Sequence, residues 1–309
     1  MPLPSKMNPL ARRPPLPPLS FTAVQANSTV KLNTVGSLTL SGLQYRTDGE
    51  WSAYTAGTAI TLANIGDRVQ FQNTESTLSL SSSNYARFAM TGKIAASGSI
   101  QSLLNDSNAC YAYCYFNLFK GCDSLTAAPA LPASVLGDHC YQYMFRECTA
   151  LTSAPALPAT SLAIYCYFAM FYGCTSLTAP PALPATSLAT YCYGTMFSGC
   201  TALADLSDFD LPATTLADYC YSAMFQDCSA LATAPALPAT SLNVYCYKEM
   251  FKNCSSLSAI EVNFTVWNST STNDWVSGVA SSGTFKKPSA LSGDAGTSRI
   301  PANWTIINQ

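Results

Sequence analysis

Cysteine is the residue type whose number and spacing could carry chemistry in this chain of 309 residues. Twelve of the thirteen cysteines form six pairs whose partners are eight residues apart, and Cys110 stands alone. The pairs are Cys114/Cys122, Cys140/Cys148, Cys166/Cys174, Cys192/Cys200, Cys220/Cys228 and Cys246/Cys254. Three interpretations are open: buried thiols that act as small apolar residues, disulfides within or between repeats, and a metal site. The spacing does not match the short spacings of zinc ligands, which counts against the third.

Other side chains with metal-binding or catalytic chemistry are few. Asp205, Asp208 and Asp210 could share a hard cation, which prefers several oxygen ligands, but their spacing fits no calcium loop and favours a bulged acidic loop. His139, the only histidine, leaves no Ser/His/Asp set, and no glycine-rich phosphate loop occurs. We therefore predict no catalytic residues, no metal site, no cofactor and no enzymatic activity.

A repeat of about 26 residues positions the cysteines. The first cysteines of the pairs follow one another at intervals of 26, 26, 26, 28 and 26 residues, a period typical of a solenoid. In four of the units a segment such as Leu151–Pro158 holds at least two prolines, which exclude a helix. In the next segment apolar residues at i, i+1, i+4, i+5 and i+8, as from Cys166 to Cys174, predict a short helix. The sequence thus predicts an α/β solenoid of about six units over residues 98–260.

Two stretches, Met170-Phe-Tyr-Gly-Cys-Thr-Ser-Leu-Thr178 and Met196-Phe-Ser-Gly-Cys-Thr-Ala-Leu203, show the core of the repeat most clearly. They resemble the Phe-x-x-Cys-x-x-Leu core of BspA-like leucine-rich repeats, found in surface proteins of gut and oral bacteria and, in similar chains, in phages of gut bacteria. Thr91–Leu104 resembles the lead-in of this group, and Trp275–Phe285 with Ile300–Thr305 resembles its closing segment. The resemblance implies a leucine-rich-repeat fold and a role in adhesion or recognition, without catalytic residues.

The composition changes on both sides of the repeats. Residues 1–19 hold seven prolines and predict an extended, proline-rich tail. Residues 20–97 contain short alternating runs separated by Gly, Asn and Asp, which predict a small all-β domain of the sandwich type. Residues 261–309 hold three tryptophans among small polar residues and are expected to form a C-terminal cap.

Positions that vary from unit to unit, while Tyr, Cys, Met and Phe recur, form the candidate binding surface, because a repeated framework commonly presents a varied face. The alternative is that they are solvated positions free to drift. They are Asn117, Lys120, Gln142, Arg146, Glu147, Phe168, Tyr172, Lys248, Glu249 and Lys252.

Two columns of mostly tyrosine flank the first cysteine of each pair. Neighbours on a helix cannot both face inward, so at least one column should be partly exposed. Stacked tyrosines could hold sugar rings, and the alternative is a structural ladder between repeats. The first column is Tyr113, His139, Tyr165, Tyr191, Tyr219 and Tyr245. The second, the candidate aromatic ladder, is Tyr115, Tyr141, Tyr167, Tyr193, Tyr221 and Tyr247.

Composition limits the function further. A net charge of −2 and only 10% charged residues argue against nucleic-acid binding, and no apolar run approaches the ~20 residues of a membrane span. Met1–Met7 has no recognisable secretory signal, which favours a virion that reaches the outside by lysis. We expect a non-enzymatic recognition or adhesion protein, a phage fibre or decoration protein on the virion surface or outside the cell. Its residues 1–19 would attach it to the virion or another large assembly.

The alternative is a bacterial cell-surface adhesin, and a carbohydrate-active enzyme would need a pair of acids in a cleft. The expected partner is a host surface protein or a glycan, and homo-oligomerisation is left open.

Overall fold

The computed structural model describes residues 16–107 and 109–309, where it holds fourteen β-strands and one short 3₁₀ helix, Ile100–Leu104. Most of the predicted proline-rich tail lies outside the described residues. The strands up to the repeats are β1 (Leu19–Ala23), β2 (Ser28–Val35), β3 (Leu43–Arg46), β4 (Ser52–Ala53), β5 (Ile60–Leu62), β6 (Arg68–Asn73), β7 (Tyr85–Thr91) and β8 (Ile94–Ser97). Those that follow are β9 (Ala109–Cys110), β10 (Leu125–Ala127), β11 (Val135–Leu136), β12 (Ala259–Glu261), β13 (Thr284–Lys287) and β14 (Thr305–Asn308).

The first eight strands are distributed over two sheets. One sheet has the order β10-β8-β1-β6-β3-β4 and the other β5-β2-β7. Residues of β2 alternate between buried and partly exposed, because successive side chains of a strand point to opposite faces. Phe21 and Phe71 of the first sheet meet Phe88 of the second, with ring centroids 4.8 and 5.4 Å apart. The two inner faces therefore share one apolar core.

The repeats join this core directly. Strand β10 of the first repeat unit pairs in parallel with β8, which extends the six-stranded sheet into the repeats. The ring of Phe119 stacks on Phe88 at 5.3 Å, and the Cys122 thiol donates to the Phe88 carbonyl at 3.3 Å. Buried residues from Leu19 to Trp304 belong to one hydrophobic cluster.

The predicted α/β solenoid is wrong. The described residues of the repeats contain no helix, and the described sheets have six, three, three and two strands, none of which is a solenoid sheet. The leucine-rich-repeat solenoid that the resemblance implied is therefore not found. The segment from Cys166 to Cys174, predicted to be helical, consists of consecutive turns.

A left-handed residue at every fourth position prevents the helix. In the first unit Tyr113, Asn117 and Gly121 have φ of 63°, 58° and 70°, and in the third unit Tyr165, Ala169 and Gly173 have φ of 57°, 51° and 70°. Such a residue is the third of a four-residue turn, and a right-handed helix cannot contain it. Gly121, Gly173 and Gly199 are left-handed and lie in turns.

Backbone hydrogen bonds alternate between the turns and the neighbouring unit. In the first unit the N–H groups of Phe116 and Leu118 donate to Tyr113 and Tyr115 within the turns. The N–H groups of Tyr115 and Phe119 donate instead to Cys140 and Met144 of the next unit, at 2.9 Å in both cases. Each unit thus satisfies its buried backbone groups without helix or regular strand, and successive units are stacked in register.

The C-terminal residues continue the stack and cover its end. Strands β12, β13 and β14 form a parallel three-stranded sheet. The Trp275 ring is fully buried, 6.4 Å from Tyr247 and 6.2 Å from Phe251 of the sixth unit. Its indole N–H donates to the Arg299 carbonyl at 2.8 Å, so the polar edge of the covering ring is also satisfied.

Candidate binding surface

The succession of turns sorts the side chains of a unit into an inner and an outer set. In the third unit Cys166, Tyr167, Met170 and Phe171 are at most 1% exposed. Tyr165, Phe168 and Tyr172, one position away, lie on the outside and are partly buried. Two consecutive residues face inward, and the next two mostly face outward. This alternation gives the apolar spacing i, i+1, i+4 and i+5 that predicted one face of a helix.

The inner tyrosine column is part of the core. Tyr115, Tyr141, Tyr167, Tyr193, Tyr221 and Tyr247 are at most 1% exposed. Their rings stack at centroid distances from 5.4 to 6.1 Å. Burial raises the pKa of these phenols, and the hydroxyls of Tyr167 and Tyr193 have no hydrogen-bond partner among the described residues. The candidate aromatic ladder is therefore closed to a sugar and supports the structural alternative.

The outer column lies on the surface. From Tyr113 through His139, Tyr165, Tyr191 and Tyr219 to Tyr245 the centroid distances are 4.4, 4.9, 4.6, 4.2 and 4.8 Å. His139 takes the place of a tyrosine, and its Nδ1 lies 2.6 Å from Gln142 Oε1. The rings cover one another's faces, so the column presents ring edges and hydroxyl groups to the outside. Burial, followed by the neighbouring Tyr219 and Tyr165, raises the pKa of Tyr191.

Beside the first half of this column lies a cluster that we call the aromatic patch: Tyr143, Phe168, Tyr172, Lys120 and Arg146, packed on the buried Phe116. Tyr143 packs edge-to-face against Phe116 at 5.8 Å and against Phe168 at 5.7 Å. The Arg146 guanidinium lies 5.5 Å from the Tyr143 ring centre and 4.7 Å from that of Tyr172. Burial, followed by the nearby Arg146 charge, lowers the pKa of Lys120.

The structure divides the ten predicted binding residues. Lys120, Arg146, Phe168 and Tyr172 meet in the aromatic patch with Glu147 at its edge, where Arg146 Nε lies 3.1 Å from Glu147 Oε1. Asn117 and Gln142 are only 5% and 8% exposed, which removes most of their surface from a partner.

The three residues of the sixth unit form a separate charged group. Glu249 lies 3.0 Å from the amino group of Lys252 and 4.0 Å from that of Lys248. Three units separate this group from Tyr143 and Arg146, so the structure does not bring it into the aromatic patch.

Sequence reasoning missed Tyr143, the residue at the centre of the patch. The predicted binding residues included Asn117 and Glu249, which occupy the equivalent position in the first and sixth units, but not Tyr143. The other units carry Ala169, Thr195 and Ala223 there. An aromatic residue at a position that is otherwise small or polar was the available signal. Gly194 adds to the patch, because a Cβ there would lie 2.9 Å from Phe168 Cδ2 and would displace that ring.

All thirteen cysteines are free and buried. The second thiol of each pair donates to a phenylalanine carbonyl of the preceding element, as Cys174 does to Phe145 at 3.1 Å. Burial raises the pKa of Cys122, Cys174, Cys192 and Cys254 to about 12. Hydrogen bonding with Cys114 and with Tyr141 lowers the pKa of Cys110, against the effect of burial. Both thiol columns therefore consist of small buried residues, and the second column also bonds one unit to the preceding one.

No metal centre is built from these side chains. Within residues 16–107 and 109–309 no group of three or more His, Cys, Asp or Glu is arranged to hold a metal ion. Asp205 Oδ1 accepts the backbone N–H of Ser207 at 2.9 Å, so Asp205, Asp208 and Asp210 belong to an exposed loop and do not surround a cation. In the same part of the chain no helix has the length and hydropathy to cross a bilayer.

Comparison with known proteins gives this chain no relative: no family model, curated protein or solved structure matches it.

Proposed function

We propose that the protein is a non-enzymatic recognition protein that binds a surface protein of a host through the aromatic patch. The carrying observation is that Tyr143, Arg146, Phe168 and Tyr172 contact one another on the outside of the repeats. Rings and a guanidinium are enriched among the residues that dominate protein–protein binding energy, and their rigidity limits the entropy lost on binding.

A protein partner is favoured over a glycan by the orientation of the rings. A sugar stacks on an open ring face. In the outer column every ring except the two at its ends has a neighbouring ring on each face, at centroid distances of 4.2–4.9 Å. The aromatic patch instead combines packed rings and tyrosine hydroxyls with Lys120 and Arg146, and aromatic residues and arginine are enriched at the centre of protein interfaces.

Display on a virion fits best with the expectations from the sequence. We propose a phage fibre or decoration protein whose N-terminal segment attaches to the particle, with a bacterial cell-surface adhesin as the alternative. Leu19 is fully buried in β1, so an attachment test should remove only residues 1–15. Loss of the truncated protein from purified particles, with folding retained, supports the proposal; unchanged copy number on the particles contradicts it.

The binding test uses substitutions that other units already carry at the same position. Tyr143→Ala, Arg146→Ser and Phe168→Ser copy Ala169, Ser198 and Ser222, so the backbone should remain intact. We expect the triple variant to bind intact gut-bacterial cells at least 100-fold more weakly than the unmodified protein, because truncating one interface anchor costs about 2 kcal/mol or more.

The matched control replaces the charged group of the sixth unit. Lys248→Ser and Lys252→Ser also copy Ser222 and Ser198, and should leave cell binding within about threefold. Pretreating the cells with a protease should abolish binding, whereas periodate oxidation of glycans should not. Binding that resists protease and is lost after periodate would show a glycan partner and contradict the proposal.

A further inference from the structure

A groove of about 710 Å³ lies beside the fourth repeat unit, on the proline-rich side of the stack. Residues of the segment 179–184 form one wall and residues 205–212 the other. Pro180, Ala182, Pro184 and Phe209 supply apolar surface, and Asp205, Asp208 and Asp210 supply three carboxylates. The groove takes no part in the aromatic patch, and the proposed function leaves it unused.

The groove arises from the two extra residues of the fourth unit. Backbone bonds join the second unit to the third (Thr178 N–H to Thr152, 3.4 Å) and the fourth to the fifth (Ala232 N–H to Ala204, 2.8 Å). In the described chain no such bond joins 177–184 to 203–212. Segment 203–212 is bonded to the fifth unit instead, where the Leu206 N–H donates to the Thr233 carbonyl at 3.2 Å. The third and fourth units therefore separate along their proline-rich edges.

The floor of the groove is held by packing against the core, and its carboxylates form no ion pair with described residues. The Phe209 ring points towards the core, edge-on to Phe197 at 6.5 Å and Phe225 at 6.4 Å. None of the four ion pairs in the described residues includes Asp205, Asp208 or Asp210. An apolar floor under three exposed carboxylates suits an extended segment that carries both cations and apolar residues.

The chain itself contains such a segment. Residues 1–15 hold Lys6, Arg12 and Arg13 among five prolines, and no Asp or Glu. Arginine followed by Pro14-Pro15-Leu16 combines a fixed positive charge with a stiff apolar stretch, which loses little entropy on docking.

The position of Pro18 puts the groove within reach. Pro18 bridges to Ser99 and Ser99 to Ala130, so the chain enters the fold on the edge that carries the proline-rich segments. Along the stack, the groove lies four to five chain segments away from Pro18. At a spacing of ~4.8 Å between neighbouring segments, this is a distance of about 19–24 Å. Arg12 is six residues before Pro18, a span of ~19 Å at ~3.1 Å per residue, and its side chain extends further.

We propose that the groove binds the N-terminal segment of the same chain, with Arg12 and Arg13 facing Asp208 and Asp210 and the adjoining prolines on Pro184 and Phe209. An assembly that binds residues 1–15 would then compete with the groove. This proposal does not depend on the partner of the aromatic patch.

The test follows the mobility of the segment in the full chain. Ser5→Cys introduces a reactive thiol, the thirteen native thiols being buried, and a dye on it reports its rotation by fluorescence anisotropy. We expect the anisotropy of the unmodified sequence to exceed clearly that of a labelled peptide of residues 1–15. Asp208→Lys with Asp210→Lys should remove at least half of this excess. Adding Arg12→Asp and Arg13→Asp should restore it.

Matched controls keep the outcome unambiguous. Asp123→Lys with Asp218→Lys changes the net charge equally at exposed positions outside the groove and should leave the anisotropy unchanged. An effect equal to that of the groove variant, or a dye as mobile as on the free peptide in every variant, overturns the proposal; the second outcome leaves the groove to an external cationic peptide. Anisotropy that falls on dilution would assign the segment to a second copy and contradict binding within one chain.

Discussion

At the scale of single residues, the cysteines act by packing and weak hydrogen bonding. Twelve thiols have a pKa raised mainly by burial, and Cys110 is the exception, with a lowered pKa. Reactive cysteines need a stabilised thiolate and access to solvent, and buried thiols in apolar surroundings have neither. The chemistry that their number suggested is therefore absent from the folded state of the described residues.

Alkylation under native conditions checks this arrangement. We expect none of the thirteen thiols to react in the folded protein within the time that fully labels the unfolded protein, because all are buried. Mass spectrometry of both samples, without reductant, counts the labels. Each disulfide would lower the count of the unfolded sample by two, and a count of one would contradict free thiol columns.

The outer column gives a second prediction at this scale. His139→Tyr restores the residue of the other units and should keep the stack, since the rings of Tyr113 and Tyr165 lie 4.4 and 4.9 Å away. His139→Ala removes both stacking contacts and should lower the free energy of unfolding by about 1–2 kcal/mol. Urea titrations of the two variants measure the difference, and equal midpoints would argue against a contribution from stacking.

At the scale of elements, the sequence allowed the inward-facing residues of each unit to be predicted, but not the backbone. Cys166, Tyr167, Met170, Phe171 and Cys174 are all buried, as an apolar face requires. Apolar spacing alone does not distinguish a helix from turns that also bring residues i, i+1, i+4 and i+5 to one side. The distinguishing signal was conformational: Gly, Asn or Asp at left-handed positions such as Asn117, Gly121 and Asn253.

The candidate site was predictable to a similar degree. Arg146, Phe168 and Tyr172 were predicted from their variation, and all three lie in the patch. The separation of Lys248 and Lys252 from them, and the central position of Tyr143, depend on how the turns orient side chains. Propensities of single residues do not encode this orientation, because hydrogen bonds between units determine it.

The left-handed positions predict a stabilising substitution. Glu147 has a φ of 63° at a position where the first, third and fourth units have glycine. Glu147→Gly should raise the free energy of unfolding by about 1 kcal/mol, because glycine adopts this conformation without steric cost. Glu147→Ala removes the same exposed ion pair without relieving the backbone, so it should give no gain. Thermal or urea unfolding of both variants measures the change in the free energy of unfolding. A larger increase for the alanine variant than for the glycine variant would refute the explanation.

At the scale of the whole molecule, one core links the first sheets to the last tryptophans. Phe21 lies 6.1 Å from Phe119, and Leu19 N–H donates to Ser102 Oγ at 2.9 Å, so residues before the repeats pack on residues within them. Such shared burial couples the free energies of neighbouring units. The β-sheets and the repeats should therefore resist unfolding together.

Substitution of Phe88 tests the coupling. Phe88→Ala removes contacts with Phe21, Phe71 and Phe119 and should cost about 3–5 kcal/mol. Hydrogen exchange should then accelerate in the first repeat units as well as in the strands of residues 19–97. Acceleration confined to residues 19–97 would show two independent units.

The thiols also make the stability of the whole chain depend on pH. An unfolded thiol ionises near pH 9, whereas the folded Cys122, Cys174, Cys192 and Cys254 ionise at about 12. Between these values the unfolded state binds fewer protons, so stability is complete below pH 9 and decreases as the pH rises towards 12.

Each of these thiols should lower the free energy of unfolding by about 1.4 kcal/mol per pH unit in that window. We therefore expect the urea midpoint, measured with reductant present, to fall as the pH rises above 9. Together the four thiols lower the free energy of unfolding by ~5 kcal/mol per pH unit in that window, which is comparable to the whole stability of a marginal domain. A midpoint that does not change up to pH 10 would contradict burial of the thiol columns.

The hydrogen bonds between units have a consequence for how the gene can change. The turn segment of every unit offers its neighbours the same alternating donors and acceptors, as the Tyr141 N–H does to the Cys166 carbonyl and the Tyr167 N–H to the Cys192 carbonyl. Duplication or loss of one complete copy would leave the backbone groups of the turn segments bonded. The array can therefore lengthen or shorten by single copies during evolution, while point substitutions at outward positions change its exposed surface independently.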